Sequence, residues 1–273
     1  MISVVGLGNA ASEIAELFKK EPQYKVFQLS SNLGNLKSFK EPEEYEKNIP
    51  DLKEFFEDID EEVQFFIVGS SMSSNYALGV LEQIKDKKIN LFYIKPDTDL
   101  LAGVPKLVEK AAFGVLQQYA RSGLLNSITI ISNESIEKII GNVPIKKYYK
   151  TLNETIFSTV HYLNYFKYNE PELGVQTKPA DVCRIISVGM LNMDNLGEEW
   201  FFNLDNPRDL CYYLNINKER LENDGTLHKK YVDILKKKPR NAFRNISYSI
   251  YETDLQNDFG FCVAHTNAIQ ENT

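Results

Sequence analysis

Two short stretches of small residues hold most of the chemistry this sequence can offer. Gly6-Leu7-Gly8-Asn9-Ala10-Ala11 follows the apolar run Ile2–Val5 and opens a helix pattern that continues to Phe18. A strand, a glycine turn and a helix start make a phosphate site, because backbone N–H groups and the positive end of the helix dipole face one point. The second stretch, Gly69-Ser70-Ser71-Met72-Ser73-Ser74-Asn75, joins the apolar run Val63–Val68 to the helix pattern Tyr76–Ile84. Its serines can give a phosphate both hydroxyl and backbone hydrogen bonds, and they serve equally well as helix N-caps. Gly6, Gly8, Asn9, Gly69, Ser71, Ser73 and Ser74 are the candidate phosphate ligands. The alternative is a pair of tight turns that hold nothing. No metal site is expected: Cys183, Cys211 and Cys262 are far apart, without a CxxC or His/Cys cluster. His161, His228 and His265 read as structural or solvated, since no acid partner is evident for any of them.

The elements that position these loops alternate between strand and helix. Lys25–Leu29, Val63–Val68, Ile89–Ile94 and Ser127–Ile131 read as further strands, and Val104–Arg121 as a long helix. Continuous apolar runs such as Val63–Val68 suit parallel strands covered on both faces. The alternation from residue 2 to 141 predicts an α/β domain with a doubly wound parallel sheet. Ligands in such sheets lie at the carboxyl ends of the strands. Gly6–Ala11, Gly69–Asn75, Lys95–Asp99 and Ser132–Asn133 all fall there. After Leu29 comes Ser30-Ser31-Asn32, without the acid that would hold an NAD ribose. That counts against the alternative of an NAD(P)-binding Rossmann-type enzyme. Ser38–Glu62 reads as a charged, solvated excursion with a short helix near Asp51–Phe56.

In Lys147–Asn169, residues Tyr148, Leu152, Ile156, Thr159, Val160, Leu163 and Phe166 recur at steps of three or four, which predicts one long helix of roughly 35 Å. The expected organisation is a nucleotide-binding domain over 1–146, a central helix over 147–169, a linker and loop over 170–180, and a smaller α+β C-terminal domain over 181–273. In that last part Asp181–Val188, Ile246–Glu252 and Phe259–His265 read as strands. Pro207–Leu214 and Glu219–Lys238 read as helical or irregular, and Thr266–Thr273 as a frayed tail.

The net charge of −7 argues against a nucleic-acid partner, since phosphate backbones need clustered Lys and Arg. No run of 18 apolar residues exists, so no membrane span is expected. No signal-peptide pattern precedes the first strand, and the cysteine usage fits a reducing cytoplasm.

The order of these pieces resembles the tubulin/FtsZ superfamily over nearly the whole chain. The most specific part is Lys95–Leu163. There Lys95-Pro96-Asp97, the following helix, and the strand ending at Ser132-Asn133-Glu134 are similar to one run of the bacterial division protein. Leu152–Leu163 is similar to the start of that family's central helix. The resemblance implies GTP or GDP with Mg2+ as cofactors, and head-to-tail self-association into filaments. It places Asn133 and Asn153 on the two asparagines that read the guanine base, with Tyr149 or Leu152 alongside. It also places Asp181 on the second of two aspartates in a loop that enters the next subunit's pocket and helps hydrolysis. Two departures stand out. The family's GGGTGTG or GGGTGSG loop is here Gly69–Asn75, poor in glycine, and Lys178 stands where the first aspartate should be. Weak or lost GTP hydrolysis is the expected result. The alternative is a non-hydrolysing structural or adaptor protein on the same fold. The short chain resembles a phage- or plasmid-type member.

Overall fold

The computed structural model describes residues 1–30, 33, 36–37, 39, 42–97, 103–239 and 244–271. The chain forms two compact units, Met1–Phe157 with Ile269–Thr273, and Ser158–Ala268.

The first unit is built on β1 (Ile2–Leu7), α1 (Gly8–Leu17), β2 (Tyr24–Leu29), α2 (Pro42–Lys47), β3 (Glu62–Val68), α3 (Ala77–Glu82), β4 (Lys88–Lys95), α4 (Val104–Ser122), β5 (Ser127–Ser132) and α5 (Asn133–Ile140). Helix α6 (Tyr148–Tyr168) follows, and the boundary between the units falls within it. The sheet order is β2-β1-β3-β4-β5, and every pair is parallel. The apolar runs sit where full burial is required. Val4, Val5, Phe65, Phe66, Leu91, Ile128 and Ile130 are buried, and Phe66 stacks on Phe92 at 4.7 Å. Leu152 and Ile156 of α6 are also buried, as the spacing predicts, and Phe157 meets Phe18 edge-on at 4.9 Å.

Two expectations for this unit need correction. The stretch before β3 is anchored as well as charged. Tyr45, Leu52 and Phe56 are buried, and the short helix is α2, whereas Asp51–Phe56 is no helix and residues 53–58 form turns. Gln83 holds those turns, accepting from Leu52 N at 2.7 Å and donating to Pro50 O at 3.0 Å. The C-terminal residues are not frayed where they are described. Gln270 is buried, and the Gln117 side chain on α4 bonds both its carbonyl (3.0 Å) and its N–H (2.7 Å).

The second unit is α+β. Its elements are β6 (Leu173–Val175), β7 (Ile185–Asn192), β8 (Gly197–Trp200), β9 (Asp209–Asn217), α7 (Lys218–Asn223), α8 (Leu227–Lys237), β10 (Asn245–Thr253) and β11 (Phe259–Thr266). The order is β8-β7-β11-β9-β10-β6, with only β9 and β10 parallel. The region expected to be helical or irregular around Pro207–Leu214 is mostly the strand β9. Its even residues Leu210, Tyr212, Leu214 and Ile216 face Leu227, Tyr231 and Leu235 of α8, a period of two meeting a period of four. Phe166 packs with Tyr251 and Phe261 in a separate cluster. The 170–180 segment contains β6 and is therefore partly sheet.

Candidate functional site

In the first unit β1 lies between β2 and β3, so the connections leaving β1 and β3 run in opposite directions. That is the switch point at which open α/β sheets form a ligand crevice. The loops after β1 and β3 flank it, and both come from the glycine- and serine-rich stretches. Gly8 starts α1 at φ +82, a left-handed value that glycine adopts without strain. No side chain caps α1, and Asn9 and Ala10 are exposed at its first turn. Gly6 has a packing task. A Cβ there would lie 2.5 Å from Ala11 O and 2.7 Å from Ser12 Cα, so its bareness lets α1 close onto β1.

The loop after β3 turns at Ser70, a non-glycine residue at φ +57. Gly69 is wedged on β4, where a Cβ would lie 2.8 Å from Tyr93 Cζ and 2.9 Å from Pro96 Cδ. Tyr93 cannot withdraw, because its hydroxyl donates to the buried Glu109 at 2.8 Å. Burial and the Glu109 charge push the Tyr93 hydroxyl well above the ordinary phenol range. The serines then bond one another. Ser71 Oγ donates to Val68 O (2.8 Å) and accepts from Ser74 N (3.1 Å), and Ser74 Oγ donates to Ser71 O (2.7 Å). Ser73 Oγ lies 3.0 Å from Ser71 Oγ. Ser73–Tyr76 forms a 3-10 turn before α3, and Met72 is exposed at its apex. The two loops meet directly: a Cβ on Gly8 would collide with the Ser73 hydroxyl and lie 2.8 Å from Ser73 Cβ.

The predicted base-side residues lie beyond β5. Ser132 Oγ accepts from Ser135 N at 3.3 Å, so Ser132 is the cap of α5, and Asn133 is its first residue, partly exposed. Asn153 is partly exposed on the second turn of α6. Tyr149, one turn earlier on the same face, is 68% exposed, whereas Leu152 is 1% exposed and belongs to the core. The base wall expected at Leu152 is therefore absent, and Tyr149 alone offers an exposed ring. The Tyr148 hydroxyl donates to Glu137 Oε2 at 2.9 Å, tying the start of α6 to α5. Burial, then the bond to Glu137, and then the charges of Glu137, Tyr149 and Asp97 push Tyr148 up to about 12. Ser31, Asn32, Thr98 and Asp99 of the expected carboxyl-end loops lie outside the described residues.

No protein-family profile matches the chain, and no curated protein matches it in sequence. Solved structures do. The chain superposes on the empty FtsZ dimer of M. jannaschii with a TM-score of 0.67 at 14% identity, covering 97% of this chain and 88% of that one. The GTPγS-form protofilament of Bacillus thuringiensis serovar israelensis TubZ gives 0.66 at 11%, covering 99% and 87%. A helical model of the TubZ-Bt four-stranded filament gives 0.69 at 12%, covering 96% and 85%. This chain has the tubulin/FtsZ fold.

On that tubulin-like fold, Asp181 belongs to the second unit, in a turn just before β7, where a strand had been expected to begin. Asp181 and Lys178 form a 3.0 Å ion pair with side chains 77% and 84% exposed. The bond and charge of Lys178 hold the Asp181 carboxyl below its usual range. The turn itself is bolted down. Arg184 Nε donates to Asp181 O (2.8 Å), and Cys183 N donates to Ala180 O (2.8 Å). His265 of β11 is bonded to the Cys183 backbone, and its burial holds the ring neutral down to about 4 against the pull of Asp209. Upstream, Gln176 reaches into the sheet edge. Its amide donates to Tyr212 O (2.9 Å) and Ser249 Oγ (2.7 Å) and accepts from Ser247 Oγ (2.8 Å). Residue type at Gln176 gave no sign of this anchoring, because an isolated glutamine in a loop usually faces water. The three cysteines are free and buried. Among the described residues no group of three or more His, Cys, Asp or Glu is placed to hold a metal, and no helix is long and apolar enough to cross a membrane.

Proposed function

We propose that this protein is a tubulin-like filament former that binds a guanine nucleotide at a head-to-tail contact between subunits and hydrolyses it weakly or not at all. The observation that carries this reading is the likeness along 96–99% of the chain to FtsZ and TubZ, including TubZ filaments. A heterologous contact of this kind extends into an open polymer. Phosphates would lie over Gly8 and Asn9 on one loop and Ser71 and Ser74 on the other, with Ser73 contributing its backbone N–H and Gly6 and Gly69 shaping the loops. Asn133 and Asn153 would read the base, since an amide offers donor and acceptor to the guanine edge, and Tyr149 would stack on it. Mg2+ would enter with the nucleotide, held by phosphate oxygens and water. Asp181 would act in the next subunit's pocket, and its ion pair with Lys178 supports slow turnover. The reducing cytoplasm is the proposed setting.

The test is titration of nucleotide-stripped protein with labelled GTP, competed by unlabelled GTP, GDP and ATP, followed by sedimentation with GTP. Saturable binding displaced by guanine but not adenine nucleotides, with pelleting that needs GTP, is the expected result. Folded protein that binds no nucleotide yet still assembles would favour the second reading, a structural or adaptor protein. The self-bonded serine loop is the observation that supports that reading.

A further inference from the structure

The crevice at the switch point is the natural seat for a polyphosphate, and one side chain of this protein already spans it. Ser73 is 6% exposed, and its Cβ and hydroxyl rest against the bare face of Gly8, from the opposite loop. Its hydroxyl is also committed. Ser71 Oγ gives its proton to Val68 O, so in the 3.0 Å contact between the two hydroxyls Ser73 is the donor. Ser71 further accepts from Ser74 N, and Ser74 returns a bond to Ser71 O. The chain Ser73 to Ser71 to Val68 therefore locks the 3-10 turn internally, and packing of Ser73 on Gly8 seats that turn against the β1 loop. The lock is set on a backbone that is not relaxed, because Ser70 holds φ +57 without being glycine.

We propose that Ser73 is a latch across the phosphate crevice, so that a nucleoside polyphosphate enters only after the Ser73–Ser71 bond breaks and the Ser73 side chain leaves Gly8. This rests on the nucleotide reading above and adds a regulation to it: the empty site is held closed by its own hydroxyls. A phosphate oxygen must compete with Ser71 for the Ser73 proton, and with the Ser73 side chain for the space above Gly8. The affinity of the wild-type protein is then set by the opening of this turn as well as by contacts with the nucleotide.

The experiment compares wild type, Ser73→Gly and Ser73→Ala by calorimetric titration with Mg-GTP and Mg-GDP, each protein first checked for a native circular-dichroism spectrum and melt. Glycine removes both the bond and the bulk, and the expected result is binding about tenfold tighter than wild type. Alanine keeps the Cβ and removes only the bond, and is expected to fall between. Should Ser73→Gly misfold, Ser73→Ala decides the sign alone. Equal or weaker binding by the folded variants overturns the latch while leaving the nucleotide site standing, since Ser73 would then be inert or itself a ligand. If the wild type and both variants are folded and none binds a guanine nucleotide, the nucleotide reading fails and the latch fails with it.

Discussion

The proposed base side and the proposed phosphate side of this crevice use polar side chains in opposite ways. At the starts of α5 and α6, capping is done by Ser132 and bracing by the Tyr148–Glu137 bond, while Asn133, Asn153 and Tyr149 stay partly or largely exposed. At the ends of β1 and β3, Ser71, Ser73 and Ser74 are bonded inside their own turn, and Gly69 and Gly6 are consumed by packing. A polar group bonded within the fold stabilises it, and must give up that bond to serve a ligand. A group left in water contributes little to stability and serves a ligand at small cost. The turn before β7 in the second unit repeats the contrast. The Asp181 carboxylate stands in solvent, while His265, which anchors the same turn, is half-buried.

Substitutions that attack the committed groups should therefore unfold, and those that attack the uncommitted ones should not. The largest effect is expected from Gly69→Val, whose Cβ has no room beside a Tyr93 that cannot move. It should cost about 3 kcal/mol or more in chemical denaturation, and a loss below about 1 kcal/mol would show the loop to be loosely packed. Next comes acidification. An unfolded His265 binds a proton below about 6.5 and the folded one only near 4. Stability should fall with pH across that window by up to about 3 kcal/mol, and the His265→Gln variant should lack this component. Ser71→Ala removes a hydroxyl that both donates and accepts. It should lower stability by about 1–3 kcal/mol, read from the same denaturation curves. On the uncommitted side, Asn153→Ala should leave the melt within about 0.5 kcal/mol of wild type and weaken GTP about tenfold. An equal loss of stability would place Asn153 in the fold rather than the site. The smallest structural effect belongs to Asp181→Ala, with an unchanged melt and any residual hydrolysis abolished. Normal turnover in that variant would remove Asp181 from the chemistry.

Much of this architecture was legible because burial and periodicity reinforce each other. Val63–Val68 and Ile89–Ile94 are continuous apolar runs and became central parallel strands, and the spacing of Leu152, Ile156 and Val160 marked the buried face of α6. Strand β9 was hidden because Pro207 and two asparagines obscure the alternation of Leu210, Tyr212, Leu214 and Ile216. In the candidate site, residue types marked both loops, but types do not say where a hydroxyl's bond goes. Whether Ser73 faces a ligand or a neighbouring serine depends on a turn conformation that includes Ser70 at positive φ, which no pattern of residue types announces. Gln176 and Gln270 were missed for a related reason: their partners are 36 to 153 positions away in the chain.

The buried pairing of Gln117 with Gln270 has a consequence for synthesis. The strands and helices of the first unit are all made early, but the amide of Gln117 waits for a backbone partner 153 residues downstream. On the ribosome this unit can collapse around its parallel sheet while one face of α4 still exposes an unsatisfied amide, and the whole second unit must emerge before that amide is sealed. Completion of the first-made unit thus waits on residues made only after the second unit. Nascent chains that stall before residue 270 would carry an unfinished α4 surface for folding factors to engage.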